Sequence, residues 1–369
     1  MKKIFFAVVF LLCVICMNRS VAADELDDYD FTEIDEIVRE STDFDFEKTV
    51  RDFFMGNTKE SLESLGNAII DALFGELSAQ RKLIIGIITI GIVAALFTNI
   101  SKAFLSADIS KNGFYVTYMI LMSTLIAGYA KMANVVIESL DRLISMMEVI
   151  VPSYIASIGF CTGESSAAAF YQVIAIVIAL IEKIIRDMII PMIYILMIMG
   201  LINNISEGNI LSKACELIKT AIEWVLKALL SFVIGLNVVQ GMLSPVVDSI
   251  KTSAIGKAAS LIPGVGGTIT SVSKIVLGSG TLIKNSIGMA SMTAIVAIMF
   301  CPVIESVAVS IGYKISGAIL EPVSDKRIVN SVNSMYDCMV LLCKTLLYSS
   351  VFFMITLAII CNSTNLNMG

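Results

Sequence analysis

The chain of 369 residues contains no histidine, which excludes several kinds of chemistry at once. Without an imidazole there is no histidine-based catalytic triad, no histidine-ligated metal and no imidazole proton relay. Charged residues are also scarce, at 16% of the chain compared with roughly 25% in a typical soluble domain. Hydrophobic residues make up 57%, and the mean hydropathy is +0.86. This balance predicts a protein that lies largely in a membrane.

The motifs of several enzyme classes are also missing. The sequence has no HExxH and no GxSxG, and it has no P-loop, because Gly256-Lys257 is followed by Ala258 and lacks the upstream glycine. Ser279 has a glycine on each side, and we interpret it as a small turn residue because no base accompanies it. We therefore predict a protein that is not an enzyme and that binds no cofactor or metal.

Cysteine usage gives no sign of a metal site. Two of the eight cysteines lie in the apolar amino terminus, and the other six contain no CxxC pair: Cys161, Cys215, Cys301, Cys338, Cys343 and Cys361. We interpret these six as small apolar helix residues, in preference to a metal site or a disulfide framework.

The amino terminus has the pattern of a secretory signal peptide. Lys2 and Lys3 precede an apolar core from Ile4 to Met17, and small residues follow up to Ala23. An uncleaved first span is the alternative, but the core is shorter than the roughly 20 residues needed to cross a bilayer. We predict a signal peptide over residues 1–23.

A strongly acidic segment comes next. From Asp24 to Glu60 there are 14 acidic and 4 basic residues. Behind an export signal, this segment (24–80) should lie outside the cytoplasm, either as a solvated linker or as a docking peptide. Nucleic acid is not expected as a partner, since there is no basic patch to neutralise phosphates.

Apolar runs fill residues 81–361, before a short tail over 362–369. Backbone amides in lipid must bond internally, which favours helices, and the runs lack the alternation of barrel strands. We predict an all-α polytopic transmembrane bundle with about seven spans (range 5–8), near 83–100, 114–130, 166–181, 188–205, 228–246, 289–311 and 345–361. The last loop then places Lys314, Lys326, Arg327 and Lys344 outside the cytoplasm or at the edge of the loop. Because basic residues favour the cytoplasmic side of a membrane, this loop is the weakest part of the topology.

Two stretches have charged residues at helical spacing. Residues 131–150 and 211–229 are each predicted to form an amphipathic helix, and the second contains Trp224, the only tryptophan. Such helices lie in the membrane interface or line a polar path, and the sequence leaves both alternatives open.

A charged cluster interrupts the apolar run from Ala167 to Ile205. One helix through all of it would be roughly 58 Å long, about twice the hydrocarbon thickness, so we predict two spans that meet near the cluster, with Pro191 starting or kinking the second. The i,i+4 pairs Glu182/Arg186 and Lys183/Asp187 can neutralise one another. The cluster is either a surface loop or, if it lies in the membrane, a set of functional charge pairs.

Glycine, serine, threonine and lysine are abundant from 247 to 288, and the lysines favour a cytoplasmic loop. The core of this segment (255–288) contains proline and glycines that permit tight turns and close approach. The alternatives are a re-entrant or discontinuous helix and an ordinary flexible loop. The candidate residues for a structural or translocation role here are Pro263, Gly264, Gly266, Gly267, Lys284, Asn285 and Gly288.

These pieces, IPGVGG and LIKNSIG, resemble the stage III sporulation protein AE family of endospore-forming bacteria. A second familiar piece is VIVPSYIASIGFCTGESSAAAF, which adds Pro152 and Gly163 to the candidates. The resemblance implies a multi-pass subunit of a channel complex between mother cell and forespore, in the outer forespore membrane. It also implies partner membrane subunits, including a secretion-type ATPase and ring-forming proteins, and a role in spore development and late forespore gene expression. The alternative is a stand-alone transporter or channel for a small solute.

Overall fold

The computed structural model describes residues 81–82, 84–96, 107–162, 176–205, 210–259 and 266–363. The predicted signal peptide and acidic segment (1–80), residues 83, 97–106, 163–175, 206–209 and 260–265, and the end of the tail (364–369) lie outside them. All regular structure in the described part is helical, so the all-α class is confirmed. The helices are α1 (Ile84–Leu96), α2 (Ala107–Thr162), α3 (Ile176–Ile205), α4 (Ser212–Ala259), α5 (Gly266–Leu320) and α6 (Lys326–Ser363).

Four of these helices are long and apolar enough to cross a membrane. The candidate spans among the described residues are Asn112–Ile150, Ile176–Ile205, Ala290–Leu320 and Lys326–Leu357. Large apolar side chains on the outside of these helices, such as Val116 and Met119, are more than half exposed. Exposed apolar surface of this kind is expected where a helix contacts lipid or another membrane protein. The total of seven spans stays a prediction.

Two predicted boundaries are replaced by continuous helix. Helix α2 joins the predicted span 114–130 to the predicted amphipathic helix 131–150. A buried stripe continues through the junction, with Leu125, Tyr129, Met132 and Val136 all buried, and the helix runs on through Gly128 because a single glycine costs a helix only about 1 kcal/mol. In α3, the charged cluster that was expected to form a surface loop is helical, so the predicted spans 166–181 and 188–205 are not separate where the structure describes them.

The expected loop over 247–288 is also largely helical. Helix α4 extends to Ala259 and α5 begins at Gly266, so residues 260–265 are all that separates them. Pro263 lies outside the described residues. The later glycines at 278 and 280 lie inside α5, because a single glycine costs a helix only about 1 kcal/mol relative to alanine and does not break it.

The expected external loop between the last two spans is reduced to a tight turn at residues 321–325. Asp325 begins α6 as its N-cap, since its carboxylate accepts a hydrogen bond from the main-chain N–H of Arg327 (2.9 Å). The guanidinium of Arg327 also binds Asp325 and lies 3.7 Å from the ring centre of Phe114 in α2. Lys314 and Lys344, which were assigned to this loop or its edge, lie within α5 and α6 instead.

Helix α6 is the centre of the bundle and packs against α2, α3, α4 and α5. Its approach to α3 is close at Gly200, where an added Cβ would lie 3.3 Å from the Cβ of Ser334. The fully buried side chains of Tyr118, Leu121 and Tyr129 on α2 join the same core. Small residues at such contacts let membrane helices approach closely, where dispersion forces do most of the stabilising.

Candidate functional site

Helix α3 widens into a π-helical turn at Ile185–Ile189, immediately before Pro191. The main-chain N–H of Ile190 bonds to the carbonyl of Ile185, five residues back. Proline has no N–H and its ring collides with the carbonyl four residues earlier, here that of Asp187, and a wider turn relieves that crowding. Pro191 therefore lies inside a continuous helix, and π-helical turns of this kind are frequent at functional sites.

The charged residues of this turn do not pair as the spacing predicts. Arg186 forms an ion pair with Asp141 of α2, 45 residues away in sequence, instead of with Glu182. No ion pair joins Lys183 to Asp187 in the described part of the chain, and both are exposed. The prediction of mutual neutralisation is therefore wrong, because the altered helical phase at the π turn directs Arg186 toward α2 and leaves Glu182 facing the core.

Glu182 is fully buried, at 0% exposure, among the isoleucines 178, 181 and 185 of its own helix. Neither carboxylate oxygen has a hydrogen-bond partner among the described residues. The hydroxyl of Ser349 on α6 faces the carboxyl, but the two groups lie outside hydrogen-bonding geometry, and the Ser349 hydroxyl is likewise unpartnered. An acidic side chain buried in a membrane span without a partner is rare and costly, which makes it a functional candidate.

Further charge pairs cross between helices. Lys219 and Glu223 of α4 bind Asp337 (2.9 Å) and Lys344 (2.5 Å) of α6. The hydrogen bond from Lys344 lowers the pKa of the Glu223 carboxyl, because it stabilises the charged form. The predicted amphipathic face of α4 is thus divided, since these two residues face α6 while Leu217 and Trp224 are about 70% exposed. A third pair joins α2 to α5, where Lys131 lies 3.6 Å from Glu305.

Uncharged hydrogen bonds join α2, α3 and α6 toward the other end of the bundle. The Tyr118 hydroxyl donates to the carbonyl oxygen of Leu201 (2.7 Å) and lies 2.6 Å from the Ser331 hydroxyl. Asn204 donates to Ser334 (3.1 Å). Buried polar groups must be paired in this way, and in lipid the requirement is stricter still.

The proline and glycine candidates lie elsewhere. Pro152 is inside α2, so the chain is not broken there; Gly266 and Gly267 are the first residues of α5; Lys284, Asn285 and Gly288 lie inside α5. Gly163, Pro263 and Gly264 fall outside the described residues. A structural or translocation role for these residues stays a prediction. Ser349, Asp141 and Asp337 were not among the candidate site residues; Asp141 lies in the stretch 131–150 that was predicted to form an amphipathic helix.

Comparison with known proteins identifies the family. The family model for stage III sporulation protein AE matches residues 44–364, which is most of the chain. This chain belongs to the stage III sporulation protein AE family. It is 23% identical over 321 residues to stage III sporulation protein AE of Bacillus subtilis strain 168, covering 87% of this chain and 80% of the Bacillus protein. No solved structure matches the chain.

Membership confirms the resemblance that the IPGVGG and LIKNSIG pieces suggested. It implies a role in sporulation, and the apolar helices of the described part indicate a membrane protein.

Proposed function

We propose that this member of the stage III sporulation protein AE family is a non-enzymatic, permease-like membrane subunit of a transenvelope channel between mother cell and forespore. Its signal peptide directs the acidic segment out of the cytoplasm, and its helices lie in the outer forespore membrane. Separate membrane subunits, including a secretion-type ATPase and ring-forming proteins, complete the channel. Spore development and late forespore gene expression depend on it.

The family match over residues 44–364 is the observation that carries this proposal. The architecture supports it in a second way, because the described helices expose many large apolar side chains. Ile176 and Leu180 of α3 and Trp224 of α4 are all more than half exposed. Apolar surface of this extent suits contact with lipid and with other membrane subunits.

Deletion of the gene in its sporulating host tests the required role. We expect the mutant to complete engulfment and then to stop before late forespore genes are expressed, with an ectopic copy of the wild-type gene restoring spores. A forespore-specific late reporter and heat-resistant spore counts measure the two effects. Normal forespore maturation in the deletion strain would remove the proposal.

The alternative, a stand-alone transporter or channel for a small solute, rests on the charged groups inside the membrane spans, which solute and proton pathways use. Uptake assays with the purified protein alone in liposomes separate the two functions. A channel subunit is inactive without its partners, whereas solute uptake by the isolated protein would favour the transporter.

A further inference from the structure

We propose that Glu182 and Ser349 form a proton-binding site inside the membrane region, and that loss of the proton opens the π-helical turn of α3. The ligand is a single proton, held on the Glu182 carboxyl and shared with the Ser349 hydroxyl. This inference goes beyond the channel role and is tested independently of it.

Burial supplies the first step. The Glu182 side chain is 0% exposed, and it lies within the candidate span Ile176–Ile205, about 9 Å from its described start at 1.5 Å per residue. Removing an unpaired ionised carboxylate from water costs several kcal/mol, and a group in that position is neutralised instead. Since no part of the side chain reaches the surface, a partner subunit cannot supply the missing charge without a rearrangement.

The neighbouring charges supply the second step, because no charged group among the described residues bonds to the Glu182 carboxyl. Of the described groups around the carboxyl, the Ser349 hydroxyl is the one that interacts with it. Several charged side chains of the neighbouring helices are engaged in pairs of their own: Asp141 of α2 with Arg186 of α3, Glu223 of α4 with Lys344 of α6, and Lys131 of α2 with Glu305 of α5. Lys183, next to Glu182 in the chain, is exposed, whereas the Glu182 carboxyl is buried. No cluster of three metal-binding side chains occurs in the described part of the chain. A proton is therefore the cation that fits.

Protonation also provides the hydrogen-bond donor that the Glu182 carboxyl and the Ser349 hydroxyl need to bond to each other. An ionised carboxylate can only accept hydrogen bonds, whereas the neutral acid has an O–H that can donate to the oxygen of Ser349. A small rotation then joins α3 to α6 through Glu182 and Ser349, both of which are otherwise unpartnered among the described residues.

The π turn supplies the element that can move. It begins three residues after Glu182 and ends just before Pro191, so its hydrogen bonds have already departed from regular α-helical spacing. Hydration stabilises an ionised Glu182 carboxylate. Opening helix α3 at the π-helical turn is the least costly rearrangement that brings the carboxylate into contact with water. Protonation thus favours the closed α3, and deprotonation favours the open form.

Infrared difference spectroscopy of the full-length protein in lipid bilayers tests proton binding directly. Subtraction of the Glu182→Gln spectrum from that of wild type at neutral pH should reveal the carbonyl band of a protonated carboxyl, lost in the variant. In Ser349→Ala the band should persist at a shifted frequency, because its hydrogen bond is gone. A carboxylate signal in place of the acid band, or an unshifted band in Ser349→Ala, would overturn the site.

Hydrogen exchange tests the coupling to the turn. Amides of residues 182–190 are compared in wild type and Glu182→Gln at each pH, so that the ordinary base catalysis of exchange cancels. If opening requires loss of one proton, the wild-type rate relative to the variant should rise about tenfold per pH unit. The rise should end at the pH where the infrared band disappears. A ratio independent of pH contradicts the coupling.

Discussion

Glu223 of α4 and Lys344 of α6 form an ion pair of 2.5 Å although 121 residues separate them in the chain. Each side chain is less than a third exposed, so water screens the pair only in part. Together with Lys219 and Asp337, it sets the register of α4 against α6, because a shift of one turn would leave the charges unpaired at the helix interface.

We expect Lys344→Ala to destabilise the protein by an amount between the roughly 1 kcal/mol of an exposed pair and the roughly 3 kcal/mol of a buried one. The reversal Glu223→Lys with Lys344→Glu should recover part of the loss. Thermal unfolding in detergent measures both. Lys213→Ala is the matched control, because Lys213 pairs with Glu216 on the exposed face of α4 and its side chain is 94% exposed. An equal loss in that control would refute the register role.

The Tyr118 hydroxyl is one of the polar links between α2 and α3. Tyr118→Phe should cost about 1–3 kcal/mol, since the buried carbonyl of Leu201 loses its side-chain donor. Tyr115→Phe, one turn away on a half-exposed face, should have almost no effect. Melting temperatures of the two variants in the same detergent measure the difference in stability. Indistinguishable melting temperatures would show that the Tyr118 hydrogen bond contributes nothing to stability.

The pairing of Arg186 distinguishes the structure from the sequence prediction. In a double-mutant cycle, Asp141→Asn and Arg186→Gln should be coupled by roughly 0.2–1 kcal/mol, because both side chains are more than 40% exposed. A cycle between Glu182→Gln and Arg186→Gln should give no coupling. The coupling energies are calculated from the unfolding free energies of the single and double variants. Coupling between Glu182 and Arg186 alone would show that the predicted i,i+4 pair forms and that the pair with Asp141 does not.

Gly200 tests the close approach of α3 to α6. Gly200→Leu must displace Ser334 and should cost about 1–3 kcal/mol through overpacking. Gly235 of α4 offers the matched site, since an added Cβ there would meet no atom within 4 Å, and Gly235→Leu should be tolerated. Expression level and thermal stability in membranes compare the two. Equal tolerance at both positions would mean that α3 and α6 do not approach closely.

Much of the architecture follows from local features of the sequence. Apolar runs that exclude water specify helices in a membrane, and the helical content of α2 to α6 agrees with that prediction. The helix boundaries were harder to predict. The charged cluster at 182–187 resembles a surface loop when only its own residues are considered. In the structure, Asp141 of α2 neutralises Arg186 and helix α3 continues through the cluster.

The candidate site was predictable only in part. The sequence named Glu182 only as a member of one of two i,i+4 charge pairs, which are functional candidates if the cluster lies in the membrane, and it did not separate Glu182 from Arg186, Lys183 and Asp187. Ser349, the partner of Glu182, did not stand out, because it lies 167 positions later on a helix whose contacts depend on the tertiary packing. The π turn was equally inaccessible, since it results from Pro191 acting within a continuous helix.

Affinity purification of the tagged protein from sporulating cells, after mild detergent extraction, tests the central claim most directly. Mass spectrometry of the eluate should identify a secretion-type ATPase and ring-forming membrane proteins that are absent from an untagged strain. Recovery of the protein alone, under conditions that keep known membrane complexes of the same cells intact, would contradict the channel-subunit function and favour the stand-alone transporter.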